Sequence, residues 1–161
     1  MTALPKRLVL CLVLLSFACG CTINNAPSDL RKIDRSIAPN DALACPPATC
    51  KAKSDIESPP FRLQSEQLGE IVREIVLAQA RTELVGEYSE IDQMVFVQRS
   101  KLFGFADTIW IQTVDLKPHA SIIIYSQSNF GYWDLGVNRW RVRNWLAVIE
   151  TATITQTGRD P

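Results

Sequence analysis

The 161-residue chain has one histidine, no excess of either charge and no apolar run long enough to span a bilayer, and each lack removes a class of function. The single histidine, His119, lies in a Lys-Pro-His turn, and no Gly-x-Ser-x-Gly elbow is present, so a serine–histidine hydrolase has no motif to stand on. Seventeen basic and seventeen acidic residues cancel, which argues against a nucleic-acid-binding surface. A zinc site at the central cysteines Cys45 and Cys50 would need two more ligands, and His119 is far along the chain. No metal and no cofactor is expected. Internal repeats and low-complexity segments are also missing.

The longest uncharged apolar run, residues 8–18, follows Lys6 and Arg7. Eleven residues are too few for a transmembrane helix, which needs about 20, but they suit the central region of a secretory signal. The sequence that follows, "SFACGCT", resembles the lipobox of bacterial lipoproteins. Cys21, with Ala18 and Gly20 before it, is the better candidate for lipidation than Cys19, which has the bulky Phe17 in its approach. The expectation is a signal peptide and lipobox over residues 1–21, with palmitate on the cysteine and a lipid anchor on the periplasmic face of the cell envelope. No aspartate follows either cysteine, which by resemblance to lipoprotein sorting favours the outer membrane. In that oxidising compartment Cys45 and Cys50 of "CPPATC" are most simply a disulfide.

Residues 22–60 hold six of the nine prolines and no sustained apolar period, so they read as tether and cysteine loop. The domain proper is expected over residues 61–153, with a tail at 154–161. Ser65 is placed to cap a helix whose Leu68, Ile71, Val72 and Ile75 recur at helical spacing. "TELVGEY", "QMVFVQRS", "DTIWIQTVD" and "ASIIIYSQ" read as strands separated by breaks too short for helical crossovers. A second helix buries Val142, Trp145, Leu146 and Ile149, with Arg139 and Arg143 on another face. The predicted fold is α+β: a four-stranded antiparallel meander flanked by two helices, in the order α-β-β-β-β-α, with one sheet face open unless a partner or the N-terminal loop covers it.

One segment stands apart, "SQSNFGYWDLGVNRWR" over residues 126–141. It joins the last strand to the second helix. A helix start presents unpaired N–H groups and the positive end of the macrodipole, so a glycine-containing entry loop there can receive an anion. Ser126 and Ser128 project to one side of a strand, and Arg139 and Arg141 could add charge-assisted contacts. The same residues also have a purely structural reading. In it Gly131 and Gly136 serve tight turns, Asp134 or Asn138 caps the helix, an arginine bridges Asp134 or Asp107, and Trp140 and Trp145 pack in the core.

At these residues the chain resembles the domain-of-unknown-function 1499 family of bacteria and plastids. The family joins an Arg-Ser-x-Ser-Arg strand end to Gly-x-x-Asp-x-Gly-x-Asn-Arg-x-Arg, and Ser126, Ser128, Gly131, Asp134, Gly136, Asn138, Arg139 and Arg141 match in order and spacing. "FGFAD", ending at Asp107, resembles its Phe-x-Asp-Asp segment, and "CPPATC" its N-terminal cysteine region. Tyr125 and Asn129 stand where the family has arginines, and Thr108 where a second aspartate is common, as though an acid and a base that paired internally had been exchanged together. The resemblance implies no established activity.

The reading reached from sequence is a lipid-anchored cell-envelope protein, a non-catalytic module binding a small anion or another envelope component through residues 126–141, with Asp107 beside them. A structural or assembly protein that binds another protein is the alternative. A hydrolase using Ser126, Ser128, Asp134 or Asp107 is a second.

Overall fold

The computed structural model describes residues 28–157. The signal and the lipidation cysteines Cys19 and Cys21 lie outside them. A short 3₁₀ turn (Leu30–Lys32) opens the fold, capped by the Asp29 side chain, and leads to strands β1 (Asp41–Cys45) and β2 (Ile56–Glu57). Helix α1 (Ser65–Leu77) follows, then β3 (Thr82–Tyr88), β4 (Gln93–Arg99), β5 (Ala106–Leu116) and β6 (His119–Ser128), and α2 (Val137–Thr157) closes the chain.

β3 to β6 form the expected antiparallel meander, in registers that set Phe96 opposite Ile109 and Ile111 opposite Ile124. The sheet is larger than four strands. β1 pairs antiparallel with β6, β2 pairs parallel with β1, and the six-stranded order is β2-β1-β6-β5-β4-β3. The expected tether over residues 22–60 therefore gives way, from Ser28 onward, to structure. "ALAC" is short, alanine-rich and without β-branched residues, so its intrinsic strand signal is weak. Pairing with the apolar β6 makes it a strand. The Cys45–Cys50 disulfide closes the loop just after it.

Alternation along the strands sorts the side chains into two layers. On one face Ala42, Ala44, Phe96, Ile109, Ile111, Ile122 and Ile124 meet both helices, through Leu68, Val72 and Val76 of α1 and Val142, Trp145, Leu146 and Ile149 of α2. The other face is covered by the chain's own N-terminal segment: Leu30 and Ile33 pack on Val95, Trp110, Ile123 and Tyr125. The start of α1 also differs from expectation. Gln64 is the N-cap and forms a reciprocal capping box with Gln67, while the Ser65 hydroxyl, inside the first turn, bonds Asp115. α2 runs to Thr157, past the tail expected from residue 154.

Gly69 sits inside α1, where a Cβ would meet only the Thr113 methyl at 3.8 Å, an ordinary contact. Gly69→Ala should therefore stabilise the fold by about 0.5–1 kcal/mol, through lower unfolded-chain entropy and better helix propensity. A rise in the urea midpoint at unchanged m-value would register it.

Candidate functional site

The apolar layer beneath the helices ends in polar residues. At the strand ends nearest the start of α2, the positions that continue the Ile122–Ile124 and Ile109–Ile111 rows are Ser126 and Ser128 on β6 and Asp107 on β5, with Gln98 on β4. Asn138 and Arg141 enter the same space from α2 because they extend its buried stripe backwards at helical spacing from Val142 and Trp145. Ser126 and Asn138 are fully buried, and Arg141 nearly so.

Arg141 is the centre of the cluster. Its Nε donates to Gln98 Oε1 at 2.7 Å, Nη1 to Ser126 Oγ at 2.9 Å and to Asn138 Oδ1, and Nη2 to Asp107 Oδ2 at 2.6 Å. The Arg141 and Asp107 side chains keep only 5% and 12% of their exposure, so this ion pair is largely out of water. Ser126 Oγ in turn donates to Asn138 Oδ1 at 2.6 Å. The Asn138 amide nitrogen donates to the Asn40 carbonyl at 2.9 Å, to Ser128 Oγ at 2.9 Å and to Asp134 Oδ2 at 2.8 Å. Three strands, the residue before β1 and the turn before the helix are thereby joined through side chains on α2.

Asp134 answers the question of the helix start. Its carboxylate accepts the backbone N–H groups of Gly136 at 2.9 Å and Asn138 at 2.7 Å. The position in which an external anion would meet the macrodipole holds an anion of the chain's own. Gly131 and Gly136 have φ of +87° and +79°, a conformation that favours glycine, and so serve the turns. Arg139 lies outside the cluster, more than half exposed, with a single contact to Asp55 at 3.3 Å. Of the nine residues singled out by sequence, eight meet in or frame this cluster and Arg139 does not.

The departures from the family pattern fall into contacts of their own. Thr108 Oγ1 donates to Asn129 Oδ1 at 3.0 Å, so the two positions at which an acid and an arginine are replaced face each other. Tyr125 stacks on Trp110 at 5.6 Å and its hydroxyl donates to Asp41 Oδ2 at 2.9 Å. Arg35, from the N-terminal segment, bridges Asp41 and Asp55 at 2.6 and 2.7 Å, bringing a guanidinium beside the position that lacks one. Burial, then the Asp41 charge, pushes the Tyr125 phenol well above its ordinary value of 10.0. Hydrogen bonding to Asp41 raises the Arg35 guanidinium.

Outside the cluster, the same end of the molecule is apolar and exposed. Nine of the fourteen large apolar side chains exposed among the described residues lie in the β4–β5 loop, the β6–α2 loop and the first turn of α2, a concentration that separates them from scattered surface residues. Phe105 stacks on Phe103 at 5.4 Å and on Phe130 at 4.7 Å, so the two loops share one aromatic surface. Tyr132, Trp133 and Leu135, further along the β6–α2 loop, and Trp140, in the first turn of α2, are each at least 66% exposed. Trp140 thus faces solvent where core packing was expected, whereas Trp145 is buried as expected. In the sequence this stretch reads as a strand break and, through "FGFAD", as a family segment, neither of which signals an exposed surface; its paired phenylalanines are the available signal.

A family model described as Protein of unknown function (DUF1499) matches residues 27–149. No curated protein and no solved structure matches the chain.

Arg141→Ala leaves Asp107 buried without its cation and should cost about 3–5 kcal/mol, whereas Arg139→Ala, at an exposed pair, should stay within about 0.5 kcal/mol; denaturant titration separates them. The raised Tyr125 value gives a second test. The unfolded phenol ionises near its ordinary value while the folded one does not, so its contribution is full below about pH 10 and is lost as the pH rises beyond it. Tyr125→Phe should show a smaller loss of stability across that alkaline range than the parent chain.

Proposed function

We infer, from the premise that the chain belongs to the DUF1499 family, that it is a non-catalytic, lipid-anchored envelope module that binds through the outer surface of the β6–α2 loop and the neighbouring β4–β5 loop. The observation that carries this reading is the concentration of exposed aromatic and aliphatic side chains there, joined by the stacked Phe103, Phe105 and Phe130. Folding alone gives no reason to gather them in one place.

The polar cluster supports the same reading by what its groups are already doing. Ser126 is flanked by an amide and a guanidinium, neither of which can take its proton, so it lacks the base that an attacking serine needs. Asp107 is committed to Arg141, and Asp134 to the helix N–H groups. The small-anion role expected for residues 126–141 has its cationic centre enclosed and its helix-start position filled. The binding surface proposed instead is the other side of the same loop, for which the cluster is the support.

The lipid anchor and the envelope location rest on the "SFACGCT" motif behind an eleven-residue apolar run, with Cys21 as the modified residue and the outer membrane as destination. No helix among the described residues is long and apolar enough to cross a membrane.

Labelled palmitate should enter the parent chain and the Cys19→Ser variant but not Cys21→Ser. A photo-crosslinking residue at position 130 should form adducts in intact cells, while one at position 154, where Ile154 is 70% exposed near the far end of α2, should form none. Adducts equal at both positions, or at neither, would remove the docking surface.

A further inference from the structure

The geometry points to an anionic lipid bilayer as the occupant of the aromatic surface, an inference that rests on the docking reading above and names its partner. Four observations carry it. The surface has the chemistry of a membrane interface: Leu102, Phe103, Phe105 and Phe130 are wholly apolar, while Tyr132, Trp133 and Trp140 are rings with one polar group, the residues that settle at the headgroup level.

The exposed charge around it is mostly basic. Arg81, Arg99 and Lys101 are exposed at the ends of β3 and β4 and form no ion pair among the described residues, and Arg139 is exposed at the start of α2. At the ends of β3 and β4 nearest these loops they meet one exposed carboxylate, Glu83; Glu87 lies towards the far end of β3, paired with Arg73, and Asp107 and Asp134 are held by Arg141 and the N–H groups of α2. Uniform negative headgroups over a hydrocarbon interior complement both the apolar centre and the basic rim.

The β4–β5 loop is also prepared for a less polar medium. Ser100 N–H donates to the Phe105 carbonyl at 2.8 Å, Gly104 N–H to the Ser100 carbonyl at 3.2 Å, and Phe105 N–H to Ser100 Oγ at 3.0 Å. Backbone groups paired within the loop lower the cost of taking it out of water.

The fourth observation is reach. Ser28 is held to Gln93 at the start of β4 by two hydrogen bonds, at 3.2 and 2.6 Å. From there the strand runs to the loop end at Arg99, roughly 20 Å away at the usual rise. The seven residues from Cys21 to Ser28 extend to at most about 25 Å. A lipid on Cys21 and the aromatic loops can therefore lie in one bilayer plane, and a peripheral protein holds firmly when two such signals act together.

The test uses the full chain reconstituted into vesicles of brominated phosphatidylcholine, with or without phosphatidylglycerol. The anchor holds the protein on both, so tryptophan quenching by bromine reports contact of the loops. Trp133 and Trp140 are exposed, and Trp110 and Trp145 are buried. Quenching should be strong with phosphatidylglycerol, weak without it, and absent in Trp133→Phe/Trp140→Phe. Arg99→Glu/Lys101→Glu should weaken loop contact by roughly tenfold or more at unchanged melting temperature, and Phe105→Ser/Phe130→Ser should do the same. Equal quenching in the two vesicles would overturn the anionic requirement. Tryptophans that stay open to aqueous iodide and untouched by bromine would overturn the bilayer altogether; adducts to a protein at position 130 would then leave the docking reading standing with another partner, and no adducts would remove both.

Discussion

The arrangement of α2 on the sheet depends on a buried ion pair, Arg141 with Asp107. Two desolvated charges are tolerable only when their remaining hydrogen-bonding groups are also met. Arg141 meets this condition by reaching β4, β5, β6 and its own helix at once, through Gln98, Asp107, Ser126 and Asn138. An apolar contact in the same place could be satisfied by several rotations of the helix, whereas a planar fork of donors is satisfied by few. The first turn of α2 is thereby fixed in angle and height over the strands. The positions of Gly131, Asp134 and Gly136 follow from it, since the chain must leave β6 and enter a helix whose start is already set.

Once the helix start is rigid, the loop before it is held at both ends. Asn40, just before β1, donates from its amide to the Gly131 carbonyl at 2.7 Å, and Asp134 ties the last turn to the helix. Leu135 adopts a left-handed conformation, φ +58°, while remaining 75% exposed. A bulky residue in that region carries strain, and an exposed leucine gains nothing from burial in return. The fold thus keeps an apolar side chain outward where glycine would be easier, which accords with a surface whose use lies outside the molecule.

How much of this the sequence reveals differs between elements for physical reasons. Both helices and the four long strands are legible because their apolar periods are strong and each buries a face regardless of its neighbours. The phase of α2 even separates its arginines: counting back from Val142 and Trp145 places Asn138 and Arg141 on the buried stripe and Arg139 off it. What cannot be read locally is supplied by residues far along the chain. Gln98, Asn40 and Arg35 reach their partners through sheet pairing, and β1 is a strand because β6 offers it an edge. The facing of Thr108 and Asn129 is legible only as a paired departure from the family pattern, and the contact between them gives that pairing its cause.

The position of β1 also sets the timing of folding. Its hydrogen-bond partner, β6, begins more than seventy residues later, and the 3₁₀ turn at residues 30–32 covers strands that are likewise still to come. Contacts of such separation reward the chain only after a large loop has been closed. As the chain emerges from its N-terminus, the first strand has only the two-residue β2 to pair with until β6 is available, and the polar cluster has no centre until α2 delivers Arg141. Completion of the sheet, and of the polar cluster with it, falls to the last third of the polypeptide.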